Sequence, residues 1–296
     1  MYGVIDIGSN TIRLSVYKLG PDSKLNNRFN KKVSAGLAGY IDEQGKLSEQ
    51  GITAIISALS EFKGIIESVD MKQLFVFATA SLRNVINTEE VVKIAHQETG
   101  FDIEILSGEE EAFCSFIGAG IDTKLVNGIL ADIGGGSTEL VFYKNREIYT
   151  TVSFPAGSLN MYYKHVSKIF PTKDEMAKIE KNMVRYLARM DMSEFENLQL
   201  CGVGGSIRGI FKLSGVLSEA SKPKSMTGKD LKKLIKDYEK NTKEITAKIV
   251  QVSPDRSHTI LPGMSILNAI VKYFNSNSII VSKYGVREGY LLSKIK

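Results

Sequence analysis

The chain opens on a largely apolar run, Val4-Ile5-Asp6-Ile7, then a run of small residues, Gly8-Ser9-Asn10-Thr11, then the alternating apolar and polar positions Ile12-Arg13-Leu14-Ser15-Val16. β-rich runs on both sides of a glycine turn read as strand, turn, strand over 4–19, with a third strand expected over 29–35. The period then changes. Ile52, Ile55, Ile56, Leu59 and Phe62 recur every three or four residues behind Ser48, which predicts a capped helix over 48–68. The apolar run Leu74-Phe75-Val76-Phe77 predicts a buried strand, followed by a helix over 88–99 stopped at Gly100 and a strand over 102–106. In "SGEEEAFCSFIGAG", Ser107 can cap a helix whose first turn carries Glu109, Glu110 and Glu111, with Ala112, Phe113, Phe116 and Ile117 as its apolar stripe.

After Gly120 the pattern restarts. Strands are expected over 128–131, 139–143 and 148–153, helices over 156–166 and 172–190, and a strand over 199–203 that runs into the glycine turn Gly202-Val203-Gly204-Gly205-Ser206. Leu231, Leu234, Ile235 and Tyr238 space like one face of a helix whose other face carries the lysines of 222–248. An apolar helix over 263–274 and a strand over 278–281 close the pattern. This order of elements predicts an α/β protein of two lobes, 1–120 and 121–285, with a C-terminal helix over 286–296 returning to the first lobe.

The restart is also a repeat. "DIGSNTIRLSVY" at 6–17 and "DIGGGSTELVFY" at 132–143 share Asp, Ile and Gly at their first three positions, then Leu and a final Tyr. Each hairpin tip is built from glycine and small hydroxyl or amide residues, so its backbone N–H groups can converge on one anion. Gly8, Ser9, Asn10 and Thr11 are the candidates in the first tip, Gly134, Gly135, Gly136, Ser137 and Thr138 in the second, and Gly204, Gly205 and Ser206 in the later glycine turn. Asp6 and Asp132 each end an apolar strand, where a carboxylate needs a partner, and a Mg²⁺ between carboxylate and phosphate would supply one. The repeat breaks at Arg13, whose equivalent is Glu139: a cation suits phosphate, an acid suits metal. A solvent-facing alternation along a hairpin strand is the plain alternative for both.

Composition narrows the class. Hydrophobic residues at 43% and charged residues at 24% are ordinary for a globular chain, and no apolar run is long enough to span a membrane. With no leader-like start, a cytoplasmic protein is expected. A formal charge of +5 does not mark a nucleic-acid binder. Cys114 and Cys201 sit far apart in apolar company, so reduced, buried thiols are expected.

"DIGSNTIRL", "ATASLRN" around Arg83, "SGEEEA", "DIGGGSTEL", "GVGGSIR", "LPGMSIL" and "YGVREGYLL" together resemble the exopolyphosphatase and guanosine pentaphosphate phosphohydrolase (Ppx/GppA) family, from end to end of the chain. The resemblance implies a two-lobed actin-like (ribonuclease H-like) fold with an interdomain cleft, and Mg²⁺-dependent hydrolysis of the terminal phosphoanhydride of inorganic polyphosphate. By matching position it implies Glu111 as catalytic base, Asp132 and Glu139 as metal-linked acids, Asp6 as a further metal residue, and Arg13 and Arg83 as phosphate contacts. It leaves the guanosine pentaphosphate (pppGpp) 5'-phosphohydrolase open as an alternative, although no shelf for a guanine base is evident, and a non-catalytic phosphate or nucleotide sensor as a lower one. A homodimer stays open; membrane and nucleic-acid partners are not expected. Ser257 and His258 depart from the family pattern in "PDRSHTILPG" and put any contact there in question.

Overall fold

A computed structural model of the chain describes residues 1–21, 24–218 and 223–295; Lys222 of the lysine-rich stretch and Lys296 of the C-terminal helix lie outside the described residues. The chain divides into two compact units, Met1–Glu111 with Leu291–Lys296, and Ala112–Tyr290.

The first unit is built on a five-stranded sheet. β1 (Tyr2–Ile7), β2 (Ile12–Leu19) and β3 (Leu25–Val33) form an antiparallel meander, and β4 (Gln73–Ala78) and β5 (Glu104–Ile105) add parallel strands beyond β1, giving the order β3-β2-β1-β4-β5. Helix α1 (Glu49–Glu67) starts at Ser48, whose side chain accepts the N–H of Gly51, and buries Ile52, Ile55, Leu59 and Phe62, as its spacing predicts. A four-residue helix, α2 (Ala80–Arg83), and α3 (Thr88–Thr99) follow, the latter ended by Gly100 in the left-handed region.

Helix α4 (Gly108–Ala119) crosses the boundary between the units. The second unit then repeats the plan of the first. β6 (Gly128–Ile133), β7 (Thr138–Lys144) and β8 (Glu147–Phe154) make the antiparallel meander, β9 (Leu200–Val203) lies parallel beside β6, and β11 (Ile279–Val281) lies parallel beside β9. The six-stranded order is β10-β11-β9-β6-β7-β8, in which the two-residue β10 (Ser225–Met226) is the one addition. Helices α5 (Ser158–His165), α6 (Lys173–Leu187), α7 (Gly205–Leu217), α8 (Gly228–Lys240), α9 (Thr242–Val252) and α10 (Ser257–Tyr273) pack a large core against this sheet, and the chain ends with α11 (Val286–Lys294). Leu231, Leu234, Ile235 and Tyr238 of α8 belong to that core, so the lysines of α8 occupy its other face.

Four sequence expectations change. The third strand begins earlier than 29–35, at Leu25, and β5 keeps only two of the five residues of 102–106, because its pairing is limited to Phe77 and Ala78 of β4. The helix expected over 263–274 starts at Ser257 and runs through Pro262, tolerating the N–H that proline lacks. On α4, Phe113 is 48% exposed, and the buried positions are Glu111, Ala112, Cys114, Ser115, Gly118 and Ala119. Small residues face inward there because backbone meets backbone. A Cβ on Gly118 would lie 2.0 Å from the Gly285 carbonyl oxygen, and one on Gly289 would lie 1.8 Å from that of Cys114. Both cysteines are free and buried, and burial pushes the Cys201 thiol up to about 12, which removes it as a nucleophile.

Candidate active site

The repeated segments fold as equivalent hairpins. Asp6 pairs with Arg13 and Ile7 with Ile12 across β1 and β2; Asp132 pairs with Glu139 and Ile133 with Thr138 across β6 and β7. Each tip closes on the same hydrogen bond, Gly8 N–H to Thr11 O at 3.1 Å and Gly134 N–H to Ser137 O at 3.0 Å.

The surroundings of each tip take up its carbonyls. In the second tip, Gly134 O accepts from Ser158 N–H and Oγ, Gly135 O from Leu159 and Asn160 N–H, and Gly136 O from Asn160 Nδ2. A trans peptide sends its C=O and the following N–H to opposite sides. The N–H groups of Gly135, Gly136 and Ser137 therefore point together, away from the start of α5. Three successive N–H groups on one side make an anion-binding concavity. A Cβ on Gly157 would lie 2.4 Å from the Gly135 carbonyl, so glycine is what lets α5 approach this closely. In the first tip, Ser9 O accepts from Ala38 N–H and Asn10 O from Gly36 N–H, which turns the N–H groups of Asn10 and Thr11 the other way. Asn10 Nδ2 is buried in that tip with no acceptor among the described residues, a donor that an anion would satisfy.

The acids differ sharply between the hairpins. Asp6 and Arg13, directly opposite one another, are both half-buried. Asp132 and Glu139, also directly opposite, are 6% and 0% exposed. Ser115 Oγ donates to Asp132 Oδ2, and Ser153 Oγ donates to Glu139 Oε1 at 2.8 Å. Two unit charges ~5 Å apart repel by about 3 kcal/mol at an effective dielectric of ~20, on top of several kcal/mol for taking each carboxylate out of water. Ser115 and Ser153 each contribute a hydroxyl, worth about 1.5–3 kcal/mol to a charged group, towards offsetting these terms. Buried oxygen donors of this kind fit Mg²⁺, which takes one or two carboxylates and keeps water or phosphate as its other ligands. Among the described residues no cluster of three or more histidine, cysteine or acidic side chains offers a closed protein cage.

The third glycine turn is tied to the second hairpin. Ser206 Oγ donates to Ser158 Oγ at 2.9 Å, and Ser158 in turn holds Gly134 O. Gly204, at φ +99°, lies where a Cβ would be 3.0 Å from Asp132 Oδ1 and 2.6 Å from Ile133 O. Gly263 of "LPGMSIL" allows α10 to press on Ser206, 2.7 Å from where its Cβ would be. Two hydroxyls expected at the phosphate are spent on the scaffold: Ser206 on Ser158, and Thr138, fully buried, on Ala156 O.

In the first unit, Arg83 and Glu111 meet. Arg83 Nη1 donates to Glu111 Oε2 at 2.8 Å and to Leu106 O at 3.0 Å, and Glu111 is 6% exposed. The charge nearest Glu111 is this guanidinium, not the neighbouring acids, because Glu109 and Glu110 are exposed and Glu110 is occupied in a capping box with Ser107. Ser81, two residues before Arg83, fastens the end of β4 to Ile7 O at the end of β1.

Sequence reading missed four participants. Asn160 and Ser158 hold the second tip, and Ser115 holds Asp132; its position four residues after Glu111, one helical turn on, was the available signal. Arg256, in "PDRSHTILPG", was assigned no role. Its guanidinium lies over Gly205 at the start of α7, 2.3 Å from where a Cβ would be. His258 packs against Tyr162, with ring centroids 5.2 Å apart, and burial, then the Arg256 cation, lower its pKa.

The Ppx/GppA phosphatase family model matches residues 17–296. The chain belongs to that family. It is 26% identical to Exopolyphosphatase 1 of Mycobacterium tuberculosis, over 99% of this chain and 88% of that protein. A solved Ppx/GppA family member from Aquifex aeolicus superposes with a TM-score of 0.79 at 26% identity, covering 99% of this chain and 97% of that one. The fold is shared with an exopolyphosphatase from Cytophaga hutchinsonii, with a TM-score of 0.85 at 22% identity and 99% and 97% coverage. The chain is thus an α/β enzyme of the phosphatase family that its motifs implied, and among its described residues no helix is long and apolar enough to cross a membrane.

Proposed function

We propose that the protein is an exopolyphosphatase that hydrolyses the terminal phosphoanhydride of inorganic polyphosphate. The observation that carries this reading is the second hairpin, whose three tip carbonyls are all taken up by α5 and its Asn160 side chain, leaving the opposite side of the tip for an anion beside two buried, mutually opposed carboxylates. Phosphoryl transfer needs donors for the phosphate oxygens, charge neutralisation and a group that positions water. The amides of Gly135, Gly136 and Ser137 and those of Asn10 and Thr11 bind phosphate oxygens, joined by Arg13. Asp132 and Glu139 would hold Mg²⁺, which would supply charge neutralisation at those oxygens. Glu111 orients the attacking water and accepts its proton, and Arg83 fixes the Glu111 carboxylate by a charged hydrogen bond.

The test is phosphate release with Mg²⁺ from long polyphosphate, pppGpp and ATP side by side. Polyphosphate is expected to give the highest kcat/KM; a higher value for pppGpp would replace this reading with the nucleotide phosphohydrolase, and no release from any of the three would remove hydrolysis altogether.

A further inference from the structure

The edge of the second sheet holds a cavity that none of the glycine-tip residues lines. β10 pairs only with Ile279 and Ile280 of β11, so Val281 and Ser282 continue past its end. Against that open edge lies a cavity of about 730 Å³. This is within the ~300–1,000 Å³ of small-molecule sites. Its floor is apolar, from Phe211 on α7, Ile280, Val281 and Pro223. Its rim is cationic, with Lys124, Lys212, Lys224 and Lys283 from four separate stretches of chain and Arg208 beside them.

The charge balance points to an anion. Among the described residues none of the four lysines forms an ion pair. The acid on the lining, Asp122, already has both oxygens engaged: Oδ1 accepts from Ser282 Oγ at 2.6 Å and Oδ2 from Lys283 N–H at 3.1 Å. Like charges gathered round one concavity repel each other and raise the local concentration of anions. A bare phosphate chain would use the rim and leave the floor wet. A ligand with a flat, apolar body and phosphates at one end would use both.

We propose that this cavity is a nucleotide site, separate from the glycine tips, with the base on Ile280, Val281 and the edge of Phe211 and the phosphates on the lysines. The inference does not depend on what the tips hydrolyse. Base contact with such a floor is expected to tighten binding about tenfold or more over the same phosphates alone.

Calorimetry on the full chain carrying Glu111→Gln tests it, with ADP, GDP and pyrophosphate as titrants, each with and without excess long polyphosphate. At least one nucleotide is expected to bind about tenfold or more tighter than pyrophosphate and to bind still in the presence of polyphosphate. Adding Lys212→Glu and Lys283→Glu, both exposed positions, should weaken it at least about tenfold while leaving the thermal melt unchanged. Irradiating protein methyl groups in a saturation-transfer experiment should then mark the base protons in the parent and not in the charge-reversed variant. Nucleotide binding displaced by polyphosphate and indifferent to the two reversals would place it at the tips and overturn the proposal. Equal affinity for pyrophosphate and both nucleotides, polyphosphate competition that the reversals also abolish, or no nucleotide binding would overturn it too.

Discussion

In the first hairpin an acid faces a cation, Asp6 against Arg13, and both side chains reach solvent; in the second an acid faces an acid, Asp132 against Glu139, and both are buried. Register, turn and closing hydrogen bond are the same in the two. The supports differ. Two backbone N–H groups of the 36–38 loop hold the first tip, whereas α5 and the Asn160 side chain hold the second. One backbone unit therefore serves two electrostatic tasks. The acid–cation pair can present Arg13 to an anion at little cost, while added positive charge would stabilise the doubly acidic pair. The repeat reaches beyond the hairpins, because each sheet continues from its meander into a parallel strand beside the first strand and then another.

Substitutions can break this division of labour. The largest effect is expected off both hairpins: Glu111→Gln keeps the shape and removes the proton acceptor, so kcat should fall by roughly 10²–10⁴-fold with little change in KM. Steady-state phosphate release measures it, and near-normal turnover would remove Glu111 from the base role. A smaller effect is expected in the first hairpin. If Arg13 meets the phosphate chain, Arg13→Gln should raise KM for polyphosphate by about tenfold and leave kcat within a few-fold; an equal loss in both would move Arg13 into the reacting geometry. The smallest concerns the support of Asp132. Ser115→Ala removes one donor from a buried carboxylate and should cost about 1–3 kcal/mol of stability in a urea melt without Mg²⁺, with part of the loss recovered when Mg²⁺ is added. A loss that Mg²⁺ leaves untouched would show that Ser115 acts through packing alone.

The plan of the fold was legible because it is written in local patterns. Apolar, β-rich runs around glycine turns marked both hairpins, and the shared Asp-Ile-Gly, Leu and Tyr positions marked them as a repeat. Ser48 and Gly100 bounded their helices where local rules put them. What stayed hidden depends on contacts distant in sequence. Nothing near Arg83 announces that its partner is Glu111, nor does "GVGGS" announce that its serine bonds to Ser158, 48 residues earlier. Composition made Thr138 and Ser206 look like phosphate donors, and only tertiary packing shows their hydroxyls already taken. Phe113 looked like core by spacing, yet glycine-mediated contact with α11 selects the small residues of α4 as its inner face. The helix expected over 263–274 starts six residues earlier, at Ser257, and carries Pro262 in its interior.

The central claim, that the second hairpin and not the first holds the metal, is tested most directly by a Mg²⁺ titration of phosphate release from long polyphosphate in Asp6→Asn and Asp132→Asn. Asp6 already faces a guanidinium and Asp132 faces a second acid. The account predicts that Asp132→Asn raises the Mg²⁺ concentration for half-maximal rate by about tenfold or more, with partial rescue at high Mg²⁺, and that Asp6→Asn shifts it by less than about threefold. Equal shifts in the two variants, or a larger one in Asp6→Asn, would contradict it.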